Sequence, residues 1–451
     1  MRSIFVIAAA LALAVVTAQA DDTSWVRQWT PGGVRVVGGM VRCQGSDAFV
    51  CGTLNDTVGT NSDVYAVKYT GTGDLAWARV WNFAAQDAAP AVAAGPSEIY
   101  LLVRTHVQGQ PFGTKVARLS PAGDTAWTRA RPTSQSRCVV ANPAGGCWVF
   151  GSIGPQPPRD SLWFGRYDGS GNYTLHKTLR LVTTGQLAAG LCQTSDGGLV
   201  GAANLTDTSG PVACLVKYLA AGDTVWTRRL ASTFAMMALA VATGPSGDFY
   251  FLGSATSGTV LARMNPAGDT VWTVAVSSAG AVAADLASDS AGNVYVAAVE
   301  AGDVAVFKFD AQGQLVSLVS GGSPSTDIAT SLAVGADLGP IVTGAVGNLA
   351  ALTVKFAPPV GIASPSVPSC PAGLRLLGTL GSGRALLAVP QAGRYGLALF
   401  SADGRQLARS VEFLEPGLNE VELAAGRASG VRYLIVEGPA GTSRFKLVRA
   451  E

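Results

Sequence analysis

Residues 216–228 read Val-Lys-Tyr-Leu-Ala-Ala-Gly-Asp-Thr-Val-Trp-Thr-Arg. An alternating strand ends at Tyr218, Gly222-Asp223 makes a tight turn, and a second strand carries Trp226. Gly tolerates the positive φ of such a turn, and Asp bonds its own backbone there. The phrase recurs as AVKYTGTGDLAWAR at 66–79, VARLSPAGDTAWTR at 116–129 and LARMNPAGDTVWT at 261–273.

Working outward, each copy is preceded by the same prelude. It is a strand of small apolar residues (Ala91-Val92-Ala93, or 239–242), a Pro/Ser/Gly/Asp turn (GPSE at 95–98, DSAGN at 289–293), then an aromatic or aliphatic strand such as 249–253. The basic residue closing the third strand recurs at Lys68, Arg118, Arg166, Lys217, Arg263, Lys308 and Lys355, at intervals of 45 to 51 residues. Four short strands in that span is the period of a propeller blade. The first strand of the mature chain, DDTSWVRQW at 21–29, matches only the Trp-bearing half of the phrase, and the last repeat stops after three strands at Pro358-Pro359. The two fragments add up to one blade. The expected fold is therefore all-β: a seven-bladed β-propeller over 21–357, closed by an N-terminal outer strand.

Totals agree. The chain has 451 residues, 55 of them Gly, 48% hydrophobic and 14% charged, with a net charge of +2. That balance suits a turn-rich β protein and gives no electrostatic basis for binding nucleic acid. At the N-terminus, Arg2, an apolar run over 4–16 and Ala18-Gln19-Ala20 compose a secretory signal peptide (1–20), with cleavage after Ala20. No later segment is long and apolar enough to span a bilayer, so an exported, monomeric mature chain with no transmembrane segment is expected. Cysteine usage fits an oxidising compartment. Cys43 with Cys51, and Cys138 with Cys147, flank turns and are candidate disulfides. Cys192 and Cys214 fall on strands too far apart to bond. Cys370 is left over.

Residues 358–371 form a Pro/Ser linker. Beyond it, 372–451 read as seven short alternating strands with turns at 401–404, 415–417 and 438–441, the pattern of a small immunoglobulin-like β-sandwich.

The Asp289–Tyr295 stretch (DSAGNVY) and the Lys217–Trp226 phrase resemble the two halves of the SBBP-type propeller repeat of secreted bacterial proteins. The C-terminal domain resembles the type IX secretion sorting domain. Asp403, Gly404 and Arg405 match its D-x-x-G-R turn; Gly417 and Asn419 its G-x-N strand; Gly430, Val431 and Tyr433 its S-G-V-Y element; and Lys446 its final strand. Arg432, interposed between Val431 and Tyr433, departs from the pattern and should either bulge the strand or turn the tyrosine to the other face. The resemblance implies passage through the periplasm to the medium or the cell surface, with residues 372–451 engaging the secretion machinery.

Chemistry is sparse. Residues for a catalytic centre, a metal or a cofactor are not apparent: no nucleophile elbow, HExxH or phosphate loop occurs, and His106 and His176 fall at non-equivalent places in different blades. Asp63, Asp303 and Asp327 sit at strand entrances, where carboxylates commonly cap backbone donors; nothing in their spacing selects a pair for glycoside hydrolysis. The repeat tryptophans (Trp25, Trp77, Trp127, Trp226, Trp272) should wedge between blades. A non-catalytic exported module that binds protein or glycan is favoured over a secreted hydrolase acting at the channel. A local site is expected where the repeat breaks down, around 160–180 and 303–315.

Overall fold

The computed structural model describes residues 23–358 and 375–449, except 31–34, 56–60, 85, 107–112, 132–133, 155–160, 183–184, 208–209, 231–236, 256–257, 277–281, 301, 324–325, 347–349, 381–383, 390, 402–404, 415–416, 423–429 and 440. Residues 1–20, expected to be a signal peptide and including Ala18 and Ala20, nearly all of the expected linker, and Asp403 and Gly404 lie outside these. One compact unit spans Ala20–Pro359, and a second includes Val360–Glu451.

The first unit is a β-propeller. Its strands fall into seven antiparallel groups of four, here called blades 1 to 7: 35–81, 86–131, 134–179, 186–229, 237–275, 282–321, and 327–356 with 23–29. A lone parallel bridge, Ser62 to Gln86, joins the sheets of blades 1 and 2. The N-terminal strand Thr23–Trp29 pairs with Ala350–Phe356, with Trp25 opposite Lys355, and so completes blade 7 as the half-phrase predicts. The innermost strands are Arg35–Gln44, Gln86–Ala94, Ser134–Ala141, Gln186–Gln193, Met237–Thr243, Val282–Ser288 and Asp327–Val334. Each touches the next, and the last touches the first, so they ring a central channel.

The repeated phrase is the mortar between blades. In the first, second, fourth and fifth blades the fourth-strand Trp lies against the turn glycine of the following blade, and its indole Nε1–H donates to a carbonyl of that turn. Trp77 reaches Pro121 O at 3.0 Å, Trp226 reaches Pro266 O at 3.0 Å, and Trp272 reaches Ala311 O at 3.0 Å. Gly123, at φ 87°, shows why the turn residue is glycine: a Cβ there would sit 2.9 Å from the Trp77 ring. Trp25 makes the same contact from blade 7 to blade 1, donating to Gly71 O at 3.1 Å. In blades 1, 4, 5 and 7 the recurring basic residue ties the first turn to the third strand: Lys68 to Asp47 (2.9 Å), Lys217 to Asp196 (2.9 Å), Arg263 to Asp248 (2.7 Å) and Lys355 to Asp337 (2.6 Å). Continuous apolar clusters then run across the joints; one links Tyr250 and Leu252 of blade 5 with Val296, Phe307 and Phe309 of blade 6.

The disulfide expectation is corrected. All four cysteines are free. Neither turn is centred between its two cysteines, so each pair is three positions out of register: Cys43 stands opposite Ala48 and Cys51 opposite Met40, while Cys138 faces Phe150 and Cys147 faces Ala141. Burial pushes the Cys43, Cys51 and Cys138 thiols up to about 12, so they are unreactive apolar fillers.

The second unit has the seven expected strands in two sheets. One comprises Arg375–Leu380, Arg384–Val389 and Gly417–Glu422; the other runs Gln406–Leu414, Gly393–Ser401, Gly430–Gly438, Gly441–Arg449. Leu387, Val389 and Val421 from the first pack with Tyr395, Leu397, Leu399, Leu434 and Val436 from the second, a two-sheet sandwich core. The ladder passes through Arg432 without a register shift, with Tyr433 opposite both Phe400 and Lys446. Of the two outcomes expected for Arg432, the bulge does not occur.

Candidate functional site in the propeller channel

The seven bulges fall at one level of the ring. The extra residues are Gly38-Gly39, Ala89-Pro90, Arg137, Ala189, Leu239, Ala284 and Thr330. A bulge bends its strand and re-aims a side chain. In blades 2 to 7 it turns one residue toward the axis, and Pro90, Arg137, Ala189, Leu239, Ala284 and Thr330 all line a cavity of about 380 Å³. That cavity occupies the half of the channel where the innermost strands begin. The other half, where those strands end, holds about 320 Å³ between residues such as Ala93, Ala141, Gln193, Thr243, Ser288 and Val334.

Against this apolar wall stand four charged side chains, Arg42, Arg104, Arg137 and Asp285. Asp285 follows the bulge in blade 6, at the place held by Met40, Ala91, Cys138, Gly190, Ala240 and Ser331 in the other blades. It is buried and fully engaged. Oδ1 accepts from Leu286 N–H at 2.9 Å; Oδ2 accepts from Ser331 Oγ at 2.8 Å and Leu332 N–H at 3.0 Å. Arg42 Nη1 lies 3.8 Å from the same oxygen and donates to Val41 O at 2.7 Å and Ser331 Oγ at 3.3 Å. The network joins blades 6, 7 and 1 across the closure. Arg104, opposite Ala88, and Arg137 bring positive charge from blades 2 and 3. Arg137 is exposed to the channel, with no hydrogen bond or ion pair among the described residues.

The residues singled out from the sequence do not converge. Asp327 caps its own corner, accepting from Ser323 N–H at 2.7 Å and Ser323 Oγ at 2.6 Å. Asp87 does the same in blade 2, accepting from Phe83 and Ala84 N–H. Asp63 accepts from Asn82 at 2.8 Å on the outside of blade 1, and Asp303 is exposed at the start of its strand. His106 meets Gln86 at 3.1 Å. His176 contacts Arg131 and Tyr173 on the outer strand of blade 3, where burial and then the Arg131 guanidinium hold its pKa below the ordinary value. Neither lies on the channel. Sequence reasoning missed Arg42, Arg104, Arg137 and Asp285. A signal was present: Arg42, Arg137 and Asp285 are charges inside innermost strands that are otherwise small and apolar.

No family model matches the chain, and no curated protein matches it. Among solved structures, a catalytically inactive virginiamycin B lyase from Staphylococcus aureus, solved with quinupristin, aligns with a TM-score of 0.50 at 10% identity. The match covers 74% of this chain and 99% of that one. The likeness is one of fold alone. The β-propeller domain of the Trilobed protease from Pyrococcus furiosus, described as having an open velcro topology, aligns with a TM-score of 0.48 at 10% identity over 72% of this chain and 98% of its own.

Proposed function

We propose that the protein is an exported, non-catalytic β-propeller that binds extracellular protein or glycan, delivered across an outer membrane by its C-terminal domain. One observation carries the non-catalytic part. Asp285 is the single acidic group among the described residues lining the channel, and backbone and hydroxyl donors occupy both its oxygens. Glycoside hydrolysis needs two carboxylates facing one bond, one of them free to give or take a proton. A channel whose only carboxylate serves as a structural tie does not supply them. The repeat tryptophans are spent on joints between blades, and the basic residues Lys68, Lys217, Arg263 and Lys355 on turns within them.

Screening the secreted protein against a glycan array and a panel of chromogenic glycosides and esters tests this reading. Binding without turnover is the expected result, and turnover abolished by a channel substitution would overturn it. The export part rests on the signal-peptide pattern and on the sorting-domain motif, of which Arg405, Asn419, Tyr433 and Lys446 lie on or beside strands of the sandwich. Removing residues 371–451 is expected to trap the propeller in the periplasm. Appearance of the truncated protein in the medium would refute that route.

A further inference from the structure

We infer that the cavity at the level of the bulges takes a small amphipathic monoanion: an acyl chain or aromatic frame ending in one carboxylate, which pairs with Arg137. This goes beyond the binding of protein or glycan proposed above, and neither reading needs the other.

Free polar groups are few in the cavity wall. Both oxygens of Asp285 are engaged, and Arg42 lies beside that carboxylate while donating to Val41 O. Arg104 already has a partner. The Thr330 hydroxyl commits its proton to a backbone carbonyl, Gly39 O or Thr343 O. Among the described side chains lining the cavity, Arg137 keeps its donors open: it is exposed to the channel and makes no hydrogen bond or ion pair. One planar guanidinium fork seats one carboxylate. A sugar or a peptide would bring more polar groups than this wall can satisfy, and each one left unpaired costs affinity.

Apolar surface supplies the rest. Met40, Pro90, Leu191 and Leu239 line the same cavity. Where the innermost strands begin, at its mouth, Leu187, Met237 and Ile328 are 39%, 46% and 41% exposed. Each stands two residues ahead of a bulge residue, Ala189, Leu239 or Thr330, that lines the cavity. Large apolar side chains left in water at matching places in three blades mark a surface that an apolar partner covers. A tail lying there removes that area from water, and the apolar walls strengthen the attraction between its carboxylate and Arg137. The volume of about 380 Å³ is near the lower end of the range for small-ligand pockets, roughly 300–1,000 Å³. It suits a single small frame and not a polymer.

Titration calorimetry on the purified chain with decanoate, naphthoate, acetate and decyltrimethylammonium, all below micelle formation, tests the assignment. Decanoate or naphthoate is expected to bind. Acetate, which lacks the apolar frame, and decyltrimethylammonium, which carries the opposite charge, are expected not to. Arg137→Gln should weaken the acids about tenfold or more, the loss of one charge-assisted contact, and Arg137→Lys should restore part of the loss. Leu239→Gln should also weaken them about tenfold, because the tail loses an apolar wall. Tighter binding of decanoate than of naphthoate assigns the frame to an acyl chain; the reverse assigns it to an aromatic acid. Silence of both acids, equal binding of decyltrimethylammonium, or affinity unchanged in Arg137→Gln would overturn the site while leaving the protein- or glycan-binding reading standing.

Discussion

Blades 3 and 6 both lack the repeat tryptophan, and they lack it for different reasons. In blade 3 the position is Leu175, which still packs on the next blade's turn at Gly222. In blade 6 the position is Ser317. Blade 7 has no third-to-fourth-strand turn, because its fourth strand arrives from the N-terminus. There is no turn glycine for a tryptophan to meet. The joint from blade 6 onward is instead tied near the axis, where Asp285 reaches Ser331 and Leu332. A break in a repeat thus marks altered packing in one blade and altered topology in the other. Among the described residues, neither break lines the channel cavities.

The largest test of that contrast is at the closing joint. Trp25, only 7% exposed, anchors blade 7 to blade 1. Trp25→Ala is expected to cost about 3–5 kcal/mol, read as a lower urea midpoint, whereas Trp127→Ala at a half-buried joint should cost about half as much. Asp285→Ala comes next. It strands Ser331 and the Leu332 N–H in the interior, and about 2–3 kcal/mol of lost stability is expected; a loss near zero would break the claim that this network substitutes for the missing indole. Gly313→Ala, at φ 82° beneath the Trp272 ring, should cost about 2 kcal/mol from backbone strain and ring displacement. Gly222→Ala should cost nearer 1 kcal/mol, because the Leu175 side chain can move aside.

The smallest effects are pH-dependent. Burial alone would raise the Asp196 pKa, but hydrogen bonds from Thr194 and Lys217 outweigh it and bring the carboxyl down to about 2. Its contribution is complete above the unfolded value of about 4 and disappears as pH falls through about 2. The Asp196→Asn variant should flatten that part of the acid-unfolding curve. His176 in blade 3 has a depressed pKa, so the unfolded chain takes up its proton first. Its contribution to stability is therefore lost as pH falls below about 6.5, and His176→Gln should remove this slope from urea midpoints collected between pH 5 and 8.

The ring was legible because its mortar repeats. Gly123 and Trp77, or Gly268 and Trp226, are complementary across a joint, so both must recur with the blade period. The strand at 23–29 was legible for the same reason. The disulfide assignments failed because flanking a turn does not fix register: the tight turn at 45–46 lies next to Cys43 but well short of Cys51. Cys43 and Cys51 flank a turn in sequence yet face Ala48 and Met40. The channel was hidden by the bulges. Arg137 is the bulge residue of a single blade, and Arg104 comes from a second strand, so neither belongs to any pattern that repeats. Position 285 could have been suspected as a carboxylate among alanines, but its partners, Ser331 and Arg42, are brought to it only by closure of the ring.

That closure also sets an order of events. Trp25 leaves the ribosome ahead of every blade, and its partner Lys355 emerges after every other blade has been made. Until then the last sheet lacks a strand, and two edges stay open for pairing with whatever lies near. Joining such distant segments carries a chain-entropy cost that rises only by about 0.6 kcal/mol for each doubling of loop length, so distance delays the final step more than it weakens the product. The ring is thereby kept from closing before residue 356 has been released, and the seam between Thr23–Trp29 and Ala350–Phe356 is both the last to form and the natural first place to open.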